Sequence, residues 1–184
     1  MLTVDTLIHI ILEFHELEDL GCTFDFKERF SVALATLEIL GLTNRIKTKI
    51  PDCSSHCDKT NDCQWIPIYQ KRKSRSKYRL TKAGKNLAAI LSQYNTDKVK
   101  QRDAIYNSIS NIAIVDIINS LLLDNTALTT EILISEILNQ SRLQLWTLRI
   151  TLQDILTLLE SLEIIQRKEG LIYAYGQRIN IKYS

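Results

Sequence analysis

Apolar residues recur at helical spacing from the start of the chain. Val4, Leu7, Ile8, Ile11, Phe14 and Leu17, with Leu12 beside them, predict an amphipathic helix over about 4–19, ended by Gly21. Phe30, Ala33, Leu34, Leu37 and Leu40 predict a second over about 26–40, with Asp25 as its N-cap and Gly41 as its stop. Beyond Gly41 the period shortens to two. Leu42, Asn44, Ile46, Thr48 and Ile50 alternate with Thr43, Arg45, Lys47 and Lys49, a strand with its basic residues on one face, stopped at Pro51. After the polar stretch 51–63, Gln64–Tyr69 reads as a returning strand, and Tyr78 and Leu80 mark a further short one.

Helical spacing resumes at Thr81 and continues through Leu87, Ala88, Ile90, Leu91 and Tyr94. Past a polar break at 95–98, Ile105, Ile109, Ile112, Ala113, Ile117 and Leu121 predict one long helix over about 99–123, with a domain boundary near 95–100. Two more helices, at about 129–139 and 143–161, precede a hairpin turning at Lys168-Glu169-Gly170. In the last helix Leu145, Leu148, Leu152, Ile155, Leu159 and Leu162 recur three and four apart. Such a seam is a buried face or a dimer contact; within one short helix the buried face is expected, because a coiled coil needs the pattern over more heptads. The fold class expected is mostly α with small β-hairpins.

Composition agrees. In 184 residues there are only 5 Gly and 2 Pro, too few for an all-β sandwich or a glycine-rich phosphate cradle. The net charge of +2 conceals opposed blocks: residues 1–40 carry −6, residues 41–90 carry +9 and residues 91–184 carry −1. The N-terminal stretch lacks a basic n-region and a small-residue cleavage site, and no apolar run is long enough to span a bilayer, so a cytoplasmic chain without membrane contact is expected.

Chemistry-bearing residues cluster in two places. Between Arg45 and Lys85 lie twelve basic residues, with no acid after Asp62 and with Trp65, Tyr69 and Tyr78 interleaved. Several cations held together release counterions from a duplex, so Arg45, Lys47, Lys49, Lys71, Arg72, Lys73, Arg75, Lys77 and Arg79 are candidate DNA-binding residues. The bland alternatives are a solvated basic loop or a patch that meets acidic protein surface.

Within the same block, Cys53, His56, Cys57 and Cys63 form a C-x2-H-C-x5-C set. In a reducing compartment these residue types suit structural zinc, with Cys22 a rival fourth ligand. An iron–sulfur cluster, as in iron–sulfur-bearing winged-helix sensors, and free thiols are the other readings. No enzyme is expected: His9 and His15, beside Glu13 and Glu16, do not share a helix face closely, and no phosphate loop, nucleophile elbow or H-E-x-x-H occurs.

Two segments resemble MarR- and PadR-type regulators. VALATLEILGLTNRIKTKI is similar to their recognition helix turning directly into the wing, through Leu37, Leu40, Gly41 and Leu42. YRLTKAGKNLAAIL is similar to the step from the wing's last strand into the next helix, through Tyr78, Leu80, Thr81 and Gly84. TLQDILTLLESLEIIQRKEGLIYAY looks like a second winged helix, with Ile165, Arg167, Gly170 and Ile172 framing a short wing. The resemblance implies two winged helix-turn-helix domains in tandem, at 1–95 and 96–184. It also implies double-stranded DNA as partner, a transcriptional regulator as function, and dimerisation or partner binding through the second domain. The contrasting expectation is a non-catalytic scaffold subunit, since tandem winged helices also bind proteins alone.

Overall fold

The structure, a computed structural model, describes residues 1–19, 30–48, 75–125 and 127–175, and for 17–19, 47, 48 and 75–77 the backbone alone. It is mostly helical with small antiparallel strand pairs, the expected class. The elements are α1 (Val4–Asp19), α2 (Ser31–Ile39), β1 (Thr43–Thr48), β2 (Arg75–Leu80), α3 (Lys82–Gln93), α4 (Lys98–Ile109), α5 (Ala113–Asp124), β3 (Leu128–Thr129), α6 (Thr130–Gln140), α7 (Leu145–Ser161), β4 (Ile165–Lys168) and β5 (Leu171–Ala174). They form two compact units, Asp5–Ser108, and Ile109–Ser184 together with Met1–Val4.

In the unit Asp5–Ser108, α1 buries Leu7, Ile10, Ile11 and Phe14, α2 buries Leu34 and Leu37, and α3 buries Leu87, Ala88 and Leu91. The helix expected from Phe26 starts instead at Ser31, behind a non-helical Phe30, and no side chain caps it. Its far end is closed as the sequence predicts. Gly41 takes φ 69°, its N–H donates to the Glu38 carbonyl and the Leu42 N–H to the Leu37 carbonyl, so the last turn's free carbonyls are met at a position suited to glycine.

The chain passes from this turn into β1, which pairs antiparallel with β2 from Thr43↔Leu80 to Thr48↔Arg75. Leaving β2, it caps α3 with Thr81. The Thr81 hydroxyl donates to the Gly41 carbonyl at 2.7 Å and accepts the Gly84 N–H at 3.0 Å, and the Thr81 N–H donates to the Leu42 carbonyl at 3.0 Å. Gly84 packs where any Cβ would lie 2.2 Å from the Leu42 oxygen. The two motif segments, Leu37–Leu42 and Tyr78–Gly84, are thus one hydrogen-bonded joint.

The single long helix expected over 99–123 is two helices, α4 and α5, interrupted at Ser110–Ile112. Serine and asparagine favour turns over helix interiors, and here they override an apolar periodicity that runs on unbroken through the break. The division between the two units falls beside it, at Ser108–Ile109.

In the second unit the order is α5, β3, α6, α7, β4, β5, with β5 between β3 and β4 in the sheet. The two-residue β3 has no periodic signal, and Thr129 there doubles as N-cap of α6, accepting the Ile132 N–H at 3.3 Å. The β4–β5 turn is where the sequence puts it. Glu169 and Gly170 both have positive φ, 54° and 78°, the pattern of a two-residue hairpin loop. The leucine seam of α7 is core, with Leu148, Leu152, Ile155, Leu159 and Leu162 buried and Leu145 left exposed.

α7 is buried beyond the seam too: Leu156 and Leu158 flank it on either side, and Asp154 and Thr157 are buried behind it. The chain's first residues attach there: the Leu2 N–H donates to the buried Asp154 carboxylate at 3.1 Å and the Val4 N–H to Ser161 Oγ at 3.0 Å. Buried Thr151 and Thr157 bond back to the carbonyls of Thr147 and Gln153, so these polar groups are satisfied.

Arg167 of β4 is held by α7. Its Nε donates to Glu160 Oε2 at 2.9 Å, its backbone N–H to Glu160 Oε1 at 3.1 Å, and its Nη2 to Thr157 Oγ1 at 3.3 Å. The hydrogen bonds from Arg167 hold the Glu160 carboxyl below its ordinary range. A depressed carboxyl stabilises the fold above the unfolded-state pKa, and that stability is lost as pH falls through the folded-state value. Glu160→Gln is therefore expected to cost roughly 0.5–1 kcal/mol at neutral pH, a value discounted for the partial exposure of the pair. In denaturant titrations the gap to the wild type should close below the ordinary carboxyl pKa of about 4.3. A gap constant from neutral to acid pH would show that the charge of Glu160 contributes nothing.

Candidate nucleic-acid interface

Apart from Lys82 and Lys85, which lie on α3, the basic block belongs to the β1–β2 hairpin and the connection between its strands. Strand alternation and register sort its roots. Arg45 stands opposite Tyr78, and Thr43 opposite Leu80, on one face; Asn44 stands opposite Arg79 on the other. The first face turns inward at its base, where Thr43, Tyr78 and Leu80 are buried. Asn44 and Arg79 are exposed. The candidates Arg45 and Arg79 therefore lie on opposite faces and cannot grip one phosphate together.

Arg45 is also engaged within the fold. Its Nη2 donates to the Tyr78 hydroxyl at 2.6 Å, its Cζ lies 5.3 Å from the Tyr78 ring centroid, and its Nε is 3.5 Å from Glu38 Oε2 on α2. The hydrogen bond to Tyr78 leads in pushing its pKa up, with Glu38 adding to it. The charge is thus permanent but partly balanced, and the guanidinium braces the hairpin against α2. Neither Tyr78 nor Glu38 is recognisable in the sequence as its partner: Tyr78 reads there as a strand residue and as one of the aromatics interleaved with the basic block.

Arg75, Lys77 and Arg79 occupy alternate positions of β2, opposite Thr48, Ile46 and Asn44. For Lys47, Arg75 and Lys77 the backbone alone is described, and Lys49, Lys71, Arg72 and Lys73 lie outside the described residues. So do all four candidate metal ligands, Cys53, His56, Cys57 and Cys63, as well as Cys22 and the expected strand Gln64–Tyr69. The pairing Thr48↔Arg75 does establish that the connection holding those ligands begins and ends at adjacent strand positions. Closing so long a loop costs entropy that grows slowly with length, and an internal tie would offset part of it. Among the described residues no group of three or more His, Cys, Asp or Glu converges, and no single helix is long and apolar enough to cross a membrane.

No protein-family model matches the chain, and neither does any curated protein or solved structure.

Proposed function

We propose that the chain is a DNA-binding protein, a transcriptional regulator built of two winged helices in tandem, which grips phosphates with the β1–β2 hairpin and its connection. The observation that carries this reading is the segregation of charge: a block of +9 over residues 41–90 in a chain of net +2, whose cations other than Lys82 and Lys85 belong to the hairpin and its connection, with Arg79 exposed at the hairpin's root. For the first unit the winged-helix reading is supported by the passage from α2 through a glycine-closed turn directly into the hairpin. For the second, it is supported by the order helix, strand, helix, helix, hairpin, with the first strand on the hairpin's edge. In this reading α2 makes modest base contact, because Glu38 stands on it beside Arg45.

Cys53, His56, Cys57 and Cys63 are proposed as zinc ligands that order the hairpin connection, a donor set of thiolates and imidazole that suits a closed tetrahedral site. Iron–sulfur is the alternative for the same residues.

The test is fluorescence anisotropy of a labelled random-sequence duplex, titrated with protein purified without chelator at about 50 and 200 mM salt, a range over which several phosphate contacts cost orders of magnitude in affinity. Binding that falls steeply with salt is expected. No binding at the lower salt would refute the reading and turn the basic block toward an acidic protein surface. Metal analysis of the same sample should find one zinc per chain, and a metal-free, fully DNA-competent protein would refute the metal site.

A further inference from the structure

The N-terminal end of α7 leaves a cluster of large apolar side chains uncovered. Leu145 is 42%, Trp146 74% and Ile150 38% exposed, while Leu148 and Leu152 of the same helix are buried. Trp146 is the most exposed aromatic residue there, and an uncovered indole flanked by leucine and isoleucine marks surface that gains by association.

Charge decides what covers it. From Ser141 to Gln153 the chain carries Arg142 and Arg149 and no acidic residue. Both arginines are exposed, and among the described residues neither has an ion-pair partner. The carboxylates further along α7 are engaged elsewhere, Asp154 with the Leu2 N–H and Glu160 with Arg167. A second copy docked face to face would bring like charges together around Arg149, and residues 141–153 supply no carboxylate to balance them. A duplex carries one phosphate charge per ~1.7 Å of its axis and would meet only these two cations among three apolar side chains.

We infer that the α7 face formed by Leu145, Trp146, Arg149 and Ile150, with Arg142 three residues before the helix, docks an acidic amphipathic segment of a protein partner. Its apolar anchors cover Trp146 and its neighbours, and its carboxylates reach the two guanidinium groups. This surface belongs to the unit that does not carry the β1–β2 hairpin, and it assigns that unit a protein partner of its own.

The probe is a fluorescein-labelled helical peptide with Leu and Phe at i, i+3, i+4 and i+7 and Glu at the flanking positions, used beside a counterpart with Lys in place of Glu, on the full chain. The acidic peptide should bind with a Kd of about 1–100 μM, and the Lys peptide at least about tenfold more weakly. Trp146→Ala should weaken the acidic peptide roughly tenfold or more, as should Arg149→Glu, with unchanged circular dichroism because both side chains are exposed. Neutralising Arg72, Arg75 and Arg79 together should leave peptide binding intact, which separates this inference from the DNA reading.

Absence of binding up to about 1 mM peptide, equal binding of the two peptides, or a Trp146→Ala variant that binds normally would overturn it. So would duplex binding that Trp146→Ala abolishes, which would make the face a nucleic-acid surface. Self-association lost in that variant, measured by sedimentation, would make it a contact between copies and overturn it equally.

Discussion

Gly84→Ala is expected to destabilise the unit Asp5–Ser108 by about 3 kcal/mol or more, although alanine is the better helix former by ~1 kcal/mol. The added Cβ would sit 2.2 Å from the Leu42 oxygen and 3.2 Å from both the Leu42 carbonyl carbon and Leu80 Cδ2. The first of these is backbone, so no rotamer change relieves it. Leu42 cannot retreat, since its N–H is tied to the Leu37 carbonyl and its own carbonyl accepts the Thr81 N–H. Relief requires α3 to move away from the turn. That motion breaks the bonds of Thr81 to Gly41, Leu42 and Gly84, each worth roughly 0.5–1.5 kcal/mol and leaving partly buried groups unpaired. Denaturant unfolding measures the change. A stabilised or neutral variant would mean that propensity governs the site and that the joint is not tight.

The triple substitution Arg72→Ala, Arg75→Ala and Arg79→Ala should lower affinity for random duplex on the order of 10²-fold at about 50 mM salt. The loss should be nearly uniform across sequences and should flatten the salt dependence by about 3 logarithmic units of slope, one per phosphate contact. Arg45→Ala offers the contrast. Its guanidinium is balanced by Glu38 and braced on Tyr78, on the hairpin face away from Arg79, so its removal should loosen the hairpin more than it weakens binding. A triple variant with wild-type affinity would reject the hairpin as the phosphate grip. An Arg45 variant that loses as much binding as the triple would reject the division of labour between the two faces.

Most helices were legible because their apolar residues keep helical spacing, and their ends because particular residues enforce them. Gly41 reverses the chain after α2, and Thr81 and Thr129 each supply a hydroxyl to a free N–H. The β4–β5 hairpin was legible through a turn at Glu169-Gly170 flanked by short apolar runs. What escaped was whatever periodicity does not encode. The interruption at Ser110–Ile112 lies inside an unbroken apolar pattern, and β3 is too short for any period to be expressed.

The candidate site divides the same way. That a strongly basic block follows α2 is written in the order of residues, and so is the concentration of Cys53, His56, Cys57 and Cys63 within it. That Arg45 and Arg79 face apart depends on the register Arg45↔Tyr78, which joins positions far apart in the chain. The leucine seam of α7 correctly announced a core face but not the burial of the side behind it, which depends on Leu2 and Val4 arriving from the other end of the chain. Nor did it announce that Trp146 stays uncovered.

The helical class, the ends that glycine and threonine impose, and the segregation of charge can be read from the order of residues, because each depends on residues a few positions apart. Which charges are engaged inside the fold, which apolar residues remain outside it, and why Gly84 must be glycine emerge only once the chain has folded. Those follow from distances between residues that the order of the chain leaves free and close packing then settles.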